Sequence, residues 1–457
     1  MTDTPTPPEA PIAGPTEKDR RWALILLVAI STVAFIDRSI LNTVGQAVKD
    51  DLKISDLQLG ILGGLAFALL YGILGIPIAR LAERKSRVAI ISIAVAVWSA
   101  MTALSGFASN FTHLLLARIG VGVGEAGAGA PSQSLLSDYY PPEKRASVFS
   151  ILGLATPLGL AIGGLGGAVV AQQFGWRAAF LVVGLPGLVL ALVAWLTMKE
   201  PPRGFSEGRD DKTAAPPFSA VLKRLFSSPT FLHTLMGVTV VSLVGFSGMT
   251  FLHPFLVRTF AIDYTTAALI FVGVNSISLA GGYLAGGFVV DRLVKRDVRW
   301  YSWAPAIAML LAAPAYVIGF SQTSVPATIV ALLFPGLFAG MHYGPTYAVV
   351  HNLIEPRMRA SAVAVMALVS GIVGMIVGPT VTGWMSDHFS QNAFAIGDYH
   401  TLCAGVAKGT ALADSCRIAS ADGLRTALVI IVSLYVWAGL HYFLAGRTVK
   451  RELEAKG

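Results

Sequence analysis

Long apolar runs, separated by short polar segments, extend along almost the whole of this 457-residue chain. Twelve of them approach 20 residues, the length that an α-helix needs to cross the hydrocarbon core of a bilayer. The pattern therefore predicts an all-α membrane protein with twelve transmembrane helices. The runs cover residues 21–44, 57–79, 88–107, 113–136, 146–170 and 178–198 in the first half, and 231–257, 266–290, 302–320, 325–350, 360–384 and 424–445 in the second.

The composition favours a polytopic membrane protein over a soluble one. Hydrophobic residues make up 54% of the chain and charged residues 13%, about half of the charged share of soluble domains. The net charge of +8 does not indicate a nucleic-acid partner, because the basic residues cluster in short loops between apolar runs. The two cysteines have no metal-ligand spacing, so we expect neither a metal nor a cofactor.

The positions of lysine and arginine predict the orientation. With the N-terminus placed inside, most of the 34 basic residues fall on the inner side, so we expect both termini to be cytoplasmic, in the plasma (bacterial inner) membrane. We expect a monomer surrounded by membrane lipids. The expected units are a disordered tail (1–20), an N-terminal six-helix bundle (21–198), a cytoplasmic linker (199–228) with an amphipathic helix over Phe218–Phe226, a C-terminal six-helix bundle (229–446) and a cytoplasmic tail (447–457).

Residues 114–140 carry charge within an apolar, glycine-rich run. Arg118 and Glu125 are seven residues apart, which places them on one face of a helix, about 10 Å apart along its axis. Ser132 continues that face. Charges at membrane depth are costly and usually line a functional cavity. The opposite face is expected to pack against another helix and is formed by Gly120, Gly124 and Gly127.

Asp37 and Arg38 lie about 22 Å from the start of the first apolar run, past the middle of the bilayer. We predict that Arg38 and Arg118 bind an anionic group of the substrate. Glu125 and Asp37 are the predicted proton-coupling residues. Two alternatives remain open. Arg118 and Glu125 would form a static ion pair that fixes helix packing, or the first helix would end near Asp37 and its charges would extend to the surface.

A short sequence recurs in the two halves. Ala79–Arg87 and Gly287–Arg296 each contain a small residue followed by an acid and an arginine, at the predicted cytoplasmic end of a helix. We predict a cytoplasmic gate there; the alternative is that these charges only set the topology. Two related halves are a transporter layout with the substrate site between them. The expected gate residues are Glu83, Arg84, Arg87, Asp138, Arg145, Asp291 and Arg292.

The second half has fewer polar residues inside its apolar runs. Such residues more often pack against other helices or lie at the membrane interface than contact a substrate. A late outer segment, 387–422, contains Cys403 and Cys416, which we expect to form a disulfide. The further candidates for substrate contact are Ser132, Asn275, Tyr343 and Tyr347.

The recurring segment resembles the cytoplasmic loop signature of the major facilitator superfamily, although Ala79 and Glu83 stand where that superfamily usually has Gly and Asp. Arg118-x-x-x-Gly122 is similar to its helix-four motif, and Pro157-Leu158-Gly159 to its helix-five motif. Residues 35–165 further resemble the Spinster family of lipid transporters. The matching residues are Asp37, Arg38, Gly60, Pro77, Trp98, Arg118, Gly122, Glu125, Ala126, Asp138, Arg145, Thr156, Pro157 and Gly159.

The resemblance implies a carrier of two six-helix bundles that moves a lysophospholipid or sphingolipid-like anionic amphiphile by alternating access, coupled to protons. The alternative is a small organic-anion or drug carrier of the same superfamily. We do not expect an enzyme, because an enzyme that acts on lipids would need a nucleophile–base pair or metal ligands, and the eight histidines are scattered. A two-half repeat also argues against a receptor.

Overall fold

The computed structural model describes residues 14–54, 58, 61–62, 66–208, 215–403, 406 and 409–455, and within these ranges it contains helices and no β-strand. Short 3-10 turns (Pro142–Lys144, Phe205–Glu207, Pro356–Met358) and π-helical turns (Ile162–Gly166, Val373–Val377) join some of the helices. The α-helices are α1 (Glu17–Leu52), α2 (Ala66–Arg84), α3 (Arg87–Ser105), α4 (Phe111–Glu125), α5 (Gly129–Tyr139), α6 (Arg145–Gly153), α7 (Ala155–Ala161), α8 (Gly167–Thr197), α9 (Phe218–Phe226), α10 (Pro229–Phe260), α11 (Tyr264–Leu293), α12 (Trp300–Phe320), α13 (Val325–Gly340), α14 (Tyr343–Leu353), α15 (Arg359–Ile372), α16 (Gly378–Ala393), α17 (Tyr399–Cys403) and α18 (Ala411–Glu454).

These helices form twelve passes across the bundle. Nine helical stretches of the described chain are long and apolar enough to cross a membrane. The stretch Pro142–Thr197 has 56 residues and holds two passes, because Gly175 breaks the helix with a φ of 81°. The remaining two passes are α2 and the broken pair α4–α5. The predicted all-α fold with twelve transmembrane helices is therefore confirmed.

The fourth pass breaks in its middle, where the sequence predicted a continuous helix over 113–136. Helix α4 ends at Glu125, and α5 begins at Gly129 after a short turn. Glycine weakens a helix interior because its backbone is free to adopt many conformations. The break means that Ser132 does not continue the stripe of Arg118 and Glu125 on one regular helix.

The glycines of the fourth pass allow α3 to approach closely. A Cβ atom at Gly124 would lie 2.6 Å from the backbone nitrogen of Trp98, and one at Gly127 would lie 2.8 Å from the Cβ of Ala94. At Gly120 a Cβ would collide with the side chain of Met101. The predicted packing face of small residues is thus confirmed, with α3 as the partner.

The start of α1 and the end of α18 lie at the same end of the helix bundle, which we call the terminal end. Lys199, just after α8, pairs with Asp19 in the first turn of α1 at 3.1 Å. The backbone N–H of Thr230, at the start of α10, donates to Glu452 near the end of α18 at 3.0 Å. The linker between the halves starts and finishes at this end, because it connects α8 to α10.

The linker and the predicted C-terminal tail both contain helix outside the predicted spans. Phe218–Phe226 forms α9 with the predicted bounds, and its apolar face buries Val221 and Leu225. The predicted cytoplasmic tail, 447–457, is helical through Glu454, where it continues α18. Basic and acidic residues of this last part lie along the same helix as the twelfth pass, so the pass and the tail form one element.

The segment between passes eleven and twelve is shorter than the predicted 387–422. Helices α16 and α18 extend further than their apolar runs, which leaves 394–410 between them. Cys403 and Cys416 form a disulfide here, with Cα atoms 5.7 Å apart. The bond ties α17 to the first turns of α18.

Candidate functional site

Two ion pairs connect α1 to α4 in the interior of the first half. Arg118 donates to Asp37 at 3.1 Å, and Arg38 lies 2.6 Å from Glu125. Adjacent residues on a helix point about 100° apart, so Asp37 and Arg38 reach different turns of α4. The static Arg118–Glu125 pair considered from the sequence does not form. Helix α1 also continues to Leu52, so the alternative that it ends near Asp37 is wrong.

The two buried carboxylates differ in how well their oxygens are satisfied. Asp37 accepts from the hydroxyl of Thr102 at 2.7 Å on one oxygen and from Arg118 on the other. Glu125 uses only Oε2 for Arg38, and its buried Oε1 has no hydrogen-bond partner among the described residues. An unpaired buried carboxylate oxygen is costly, and a proton on that oxygen would remove the charge. Glu125 is therefore the better of the two predicted proton carriers.

Arg38 is the predicted anion-binding residue that reaches open space. Its side chain is 33% exposed, whereas that of Arg118 is 2% exposed. The Arg38 guanidinium carbon lies 5.1 Å from the ring centre of Phe35 and 5.0 Å from that of Tyr71. Aromatic faces stabilise a cation within this distance. Arg38 is consequently held between two rings and one carboxylate, while Arg118 is enclosed.

An aromatic cluster from the second half faces the first half. Tyr343 lies 4.7 Å from Tyr283 and 4.9 Å from Tyr347, measured between ring centres. A Cβ at Gly153 of α6 would lie 2.7 Å from the Tyr343 ring, so the halves touch here. Asn275, the other candidate, donates its amide to the Phe271 carbonyl of its own helix at 2.9 Å. Ser132 is buried on α5.

At the terminal end, predicted gate acids join the two halves. Glu83 accepts from the backbone N–H of Ser361 at 2.8 Å, and Asp291 accepts from the backbone N–H of Ser147 at 3.0 Å. Each acid belongs to one half and binds the start of a helix in the other half. Helix starts carry unpaired N–H groups that favour a negative charge. Glu83 also forms an ion pair with Arg80 of its own helix, at 2.5 Å, which stabilises the charge of the carboxylate.

A second set of buried charges lies beside these contacts. Asp138 binds Arg87 of its own half, and it accepts from Arg359 of the other half at 2.8 Å. Arg145 donates to Asn352 of the other half at 2.5 Å. These side chains are buried, and the contacts are charge-assisted hydrogen bonds of the stronger kind.

Two predicted gate residues lie outside this network. Arg84 and Arg292 are exposed, and neither makes a side-chain hydrogen bond or ion pair with the part of the chain that the structure describes. Each follows its acid directly, so it points about 100° away from it around the helix. Four members of the network were not predicted from the sequence: Glu200, Glu207, Asn352 and Arg359. A repeat of residues 137–147 in 351–361 would have identified Asn352 and Arg359.

The linker contributes the other two missed residues. Glu200 accepts from the side chain of Arg87 at 2.7 Å and from the backbone N–H of Val88 at 2.9 Å. Glu207 contacts Arg145 and Arg359. Within the described ranges there is no group of three or more His, Cys, Asp or Glu residues that would hold a metal ion.

Comparisons with known proteins agree with this architecture. The family model described as the Major Facilitator Superfamily matches residues 27–379. An MFS-type efflux pump of Mycolicibacterium smegmatis is 29% identical over 382 residues, which cover 82% of this chain and 86% of that protein. The probable L-galactonate transporter of Escherichia coli is 25% identical over 407 residues, covering 84% and 87%.

A solved structure adds a more specific similarity. The crystal structure of a bacterial homologue of the human lysosomal transporter Spinster, inward-facing and unoccupied, is 32% identical, has a TM-score of 0.66, and is matched over 96% of this chain and 99% of that chain. With its twelve passes, its two related halves and these matches, this chain belongs to the Major Facilitator Superfamily of membrane transporters and is similar, within it, to Spinster proteins.

Proposed function

We propose that this transporter carries an anionic amphiphile, of the lysophospholipid or sphingolipid-like class, together with a proton, by alternating access. The pair of Arg38 and Glu125 is the observation that carries the proposal. It combines a partly exposed guanidinium with a carboxylate that has one unsatisfied oxygen. An anion and a proton therefore have adjacent positions to occupy in one site.

The coupling follows from competition for Arg38. While Glu125 is charged, it holds the Arg38 guanidinium through two contacts of 2.6 and 2.7 Å to Oε2. A proton on Glu125 removes that attraction and frees the arginine for the negative group of the substrate. Proton and anion then bind together and leave together. Asp37 stays engaged with Thr102 and Arg118 and keeps α1 and α4 in register.

Alternating access requires a barrier that opens on one side of the site at a time. Contacts of Glu83 and Asp291 with the opposite half close the terminal end, and Asp138 and Arg145 add buried contacts to it. We propose that these residues form the gate, at the cytoplasmic end of a monomer whose termini are both cytoplasmic, in the bacterial inner membrane. Reporter fusions at the two termini test this orientation.

The aromatic cluster favours an amphiphile over a small polar anion. Tyr283, Tyr343 and Tyr347 pack together where the second half meets α6 of the first. Aromatic rings between the halves, with the Arg38 cation in the first half, suit a substrate with a charged head and an apolar tail. A small organic anion is the second candidate, because the relatives include a protein named as a probable L-galactonate transporter.

Transport into proteoliposomes separates the two candidates. Lysophospholipids of increasing acyl length and L-galactonate are supplied with and without an inward proton gradient. We expect uptake that rises with acyl length and with the gradient. Uptake of L-galactonate with no uptake of any lysophospholipid contradicts the amphiphile proposal, and uptake that is insensitive to the gradient contradicts proton coupling.

A further inference from the structure

The segments that enter the fifth and eleventh passes are related in sequence and in structure. Residues 137–147 read SDYYPPEKRAS, and residues 351–361 read HNLIEPRMRAS. In each segment a 3-10 turn begins at a proline and the next helix begins at an arginine, Arg145 or Arg359. Several aligned positions differ in charge, and one of them is buried in both segments: Asp138 of the first corresponds to the uncharged Asn352 of the second.

The two arginines exchange partners between the halves. Arg359 donates to Asp138 at 2.8 Å, and Arg145 donates to Asn352 at 2.5 Å. The exchange is reciprocal in geometry but unequal in charge, because Arg359 meets a carboxylate whereas Arg145 meets an amide. Both arginine side chains are 0% exposed. A buried cation without a nearby anion is strongly unfavourable, so Arg145 needs a negative charge from elsewhere.

Glu207 of the linker supplies that charge. Its Oε1 accepts from Nη2 of Arg145 at 2.8 Å and also from Nη2 of Arg359. One carboxylate oxygen thus joins an arginine of the first half to an arginine of the second. The Glu207 side chain is 16% exposed, so it reaches inward from the surface of the terminal end.

The linker reaches this position because it is bound to the first half. The backbone N–H of Gly204 donates to Asp138 at 3.0 Å, and the side chain of Arg203 donates to the carbonyl of Ala82 at 2.5 Å. Gly204 has a φ of 75°, a left-handed conformation that glycine adopts without strain. This turn directs the following residues, and Glu207 with them, toward the two arginines.

We propose that Glu207 is a positioning residue of the transport cycle, a linker carboxylate that replaces the acid missing from the second half and holds the terminal end closed. When the halves separate at this end, the linker stays bound to the first half, and Arg359 leaves both Asp138 and Glu207. The linker therefore sets part of the free energy of opening. The inference rests on the proposed alternating-access function and deepens it.

Spin-label distances across the terminal end test this role. The chain's two cysteines are joined in a disulfide, so introduced cysteines give site-specific labels. Labels at Lys85→Cys and Arg296→Cys, two exposed positions on different halves, report separation by double electron–electron resonance. We expect Glu207→Gln to raise the ratio of open to closed populations about tenfold. Glu143→Gln, at an exposed acid of the same end, should leave the ratio unchanged.

A compensating substitution distinguishes this role from a general loss of structure. Asn352→Asp places a carboxylate beside Arg145 at the position where the second segment lacks one. Added to Glu207→Gln, it should return the population ratio to within about twofold of the unsubstituted protein. An unchanged ratio in Glu207→Gln overturns the inference, and so does an increased ratio that Asn352→Asp does not lower.

A transport assay on the same variants separates the inference from the function on which it rests. If distances respond to Glu207→Gln and Asn352→Asp while no substrate is transported by any variant, the role of Glu207 stands and the proposed function fails. If the unsubstituted protein transports a lysophospholipid while Glu207→Gln leaves the spin-label distances unchanged, the proposed function stands and the role assigned to Glu207 is wrong.

Discussion

Glu83 accepts a hydrogen bond at 2.8 Å from the backbone N–H of Ser361, across the boundary between the two halves. Asp291 makes the reciprocal contact with the N–H of Ser147 at 3.0 Å. Each acid binds within the first turn of a helix of the other half, where unpaired N–H groups and the helix dipole favour negative charge. The recurring acid of the sequence is thus a pair of reciprocal helix caps.

Removing one cap should loosen the terminal end. We expect Glu83→Gln to weaken the contact by about 1 kcal/mol, which raises the open population about fivefold in the spin-label measurement described above. Asp291→Asn should have a similar effect. Arg84→Gln is the matched control, because Arg84 is exposed beside Glu83. Unaltered distances in both acid variants would show that the caps do not hold the halves together.

Apolar run length was sufficient to predict the twelve passes, because a helix that crosses the hydrocarbon core needs about 20 predominantly apolar residues. The glycine face of the fourth pass was equally predictable, since only small residues permit the approach of α3 at Gly124. Both features depend on residues close together in sequence. The partners of Arg118 and Glu125 were not predictable in this way.

Choosing between partners requires knowing where other helices lie. The separation of seven residues predicted that Arg118 and Glu125 share one face of a helix. In the structure α1 lies against that helix, so Arg118 pairs with Asp37 and Glu125 with Arg38. Glu207 carries no local signal at all, because it lies in a polar linker and acts through arginines from both halves. Arg359 could have been found by aligning the two halves beyond the acid-arginine segment.

The buried pair of Asp37 and Arg118 should matter for stability. Asp37→Asn leaves the Arg118 cation buried without its counter-ion, which should cost about 3–5 kcal/mol and lower the melting temperature in detergent. The double variant Asp37→Asn, Arg118→Gln should recover part of the loss, because it removes both charges. Asp51→Asn breaks an exposed pair with Arg177 and should cost at most about 1 kcal/mol. Equal melting temperatures for Asp37→Asn and Asp51→Asn would contradict this prediction.

The disulfide between Cys403 and Cys416 should stabilise one end of the molecule. It closes a short loop, so its removal should cost about 3 kcal/mol locally. We expect Cys403→Ser, Cys416→Ser to exchange amide hydrogens faster in α17 and the first turns of α18, with transport retained. Ser415→Ala, at a neighbouring half-buried position, is the control. Two free thiols in the unsubstituted protein, detected by mass analysis without reductant, would show that the bond does not form.

Glu125→Gln should remove the pH dependence of substrate binding. In the proposed mechanism, protonation of Glu125 releases Arg38, so the affinity of the unsubstituted protein for the anionic substrate should rise as pH falls. Glutamine is neutral at every pH, so the variant should bind about tenfold more tightly than the unsubstituted protein at high pH and should not respond to pH.

Binding of a lysophospholipid, measured by titration calorimetry between about pH 5 and pH 8, checks the expectation for Glu125→Gln. Arg38→Gln should bind weakly throughout, because the cation that receives the anion is gone. Glu143→Gln, an exposed acid distant from the site, should keep the original pH response. If Glu125→Gln kept that response as well, the coupling proton would reside on another group, and competition for Arg38 would not be the coupling mechanism.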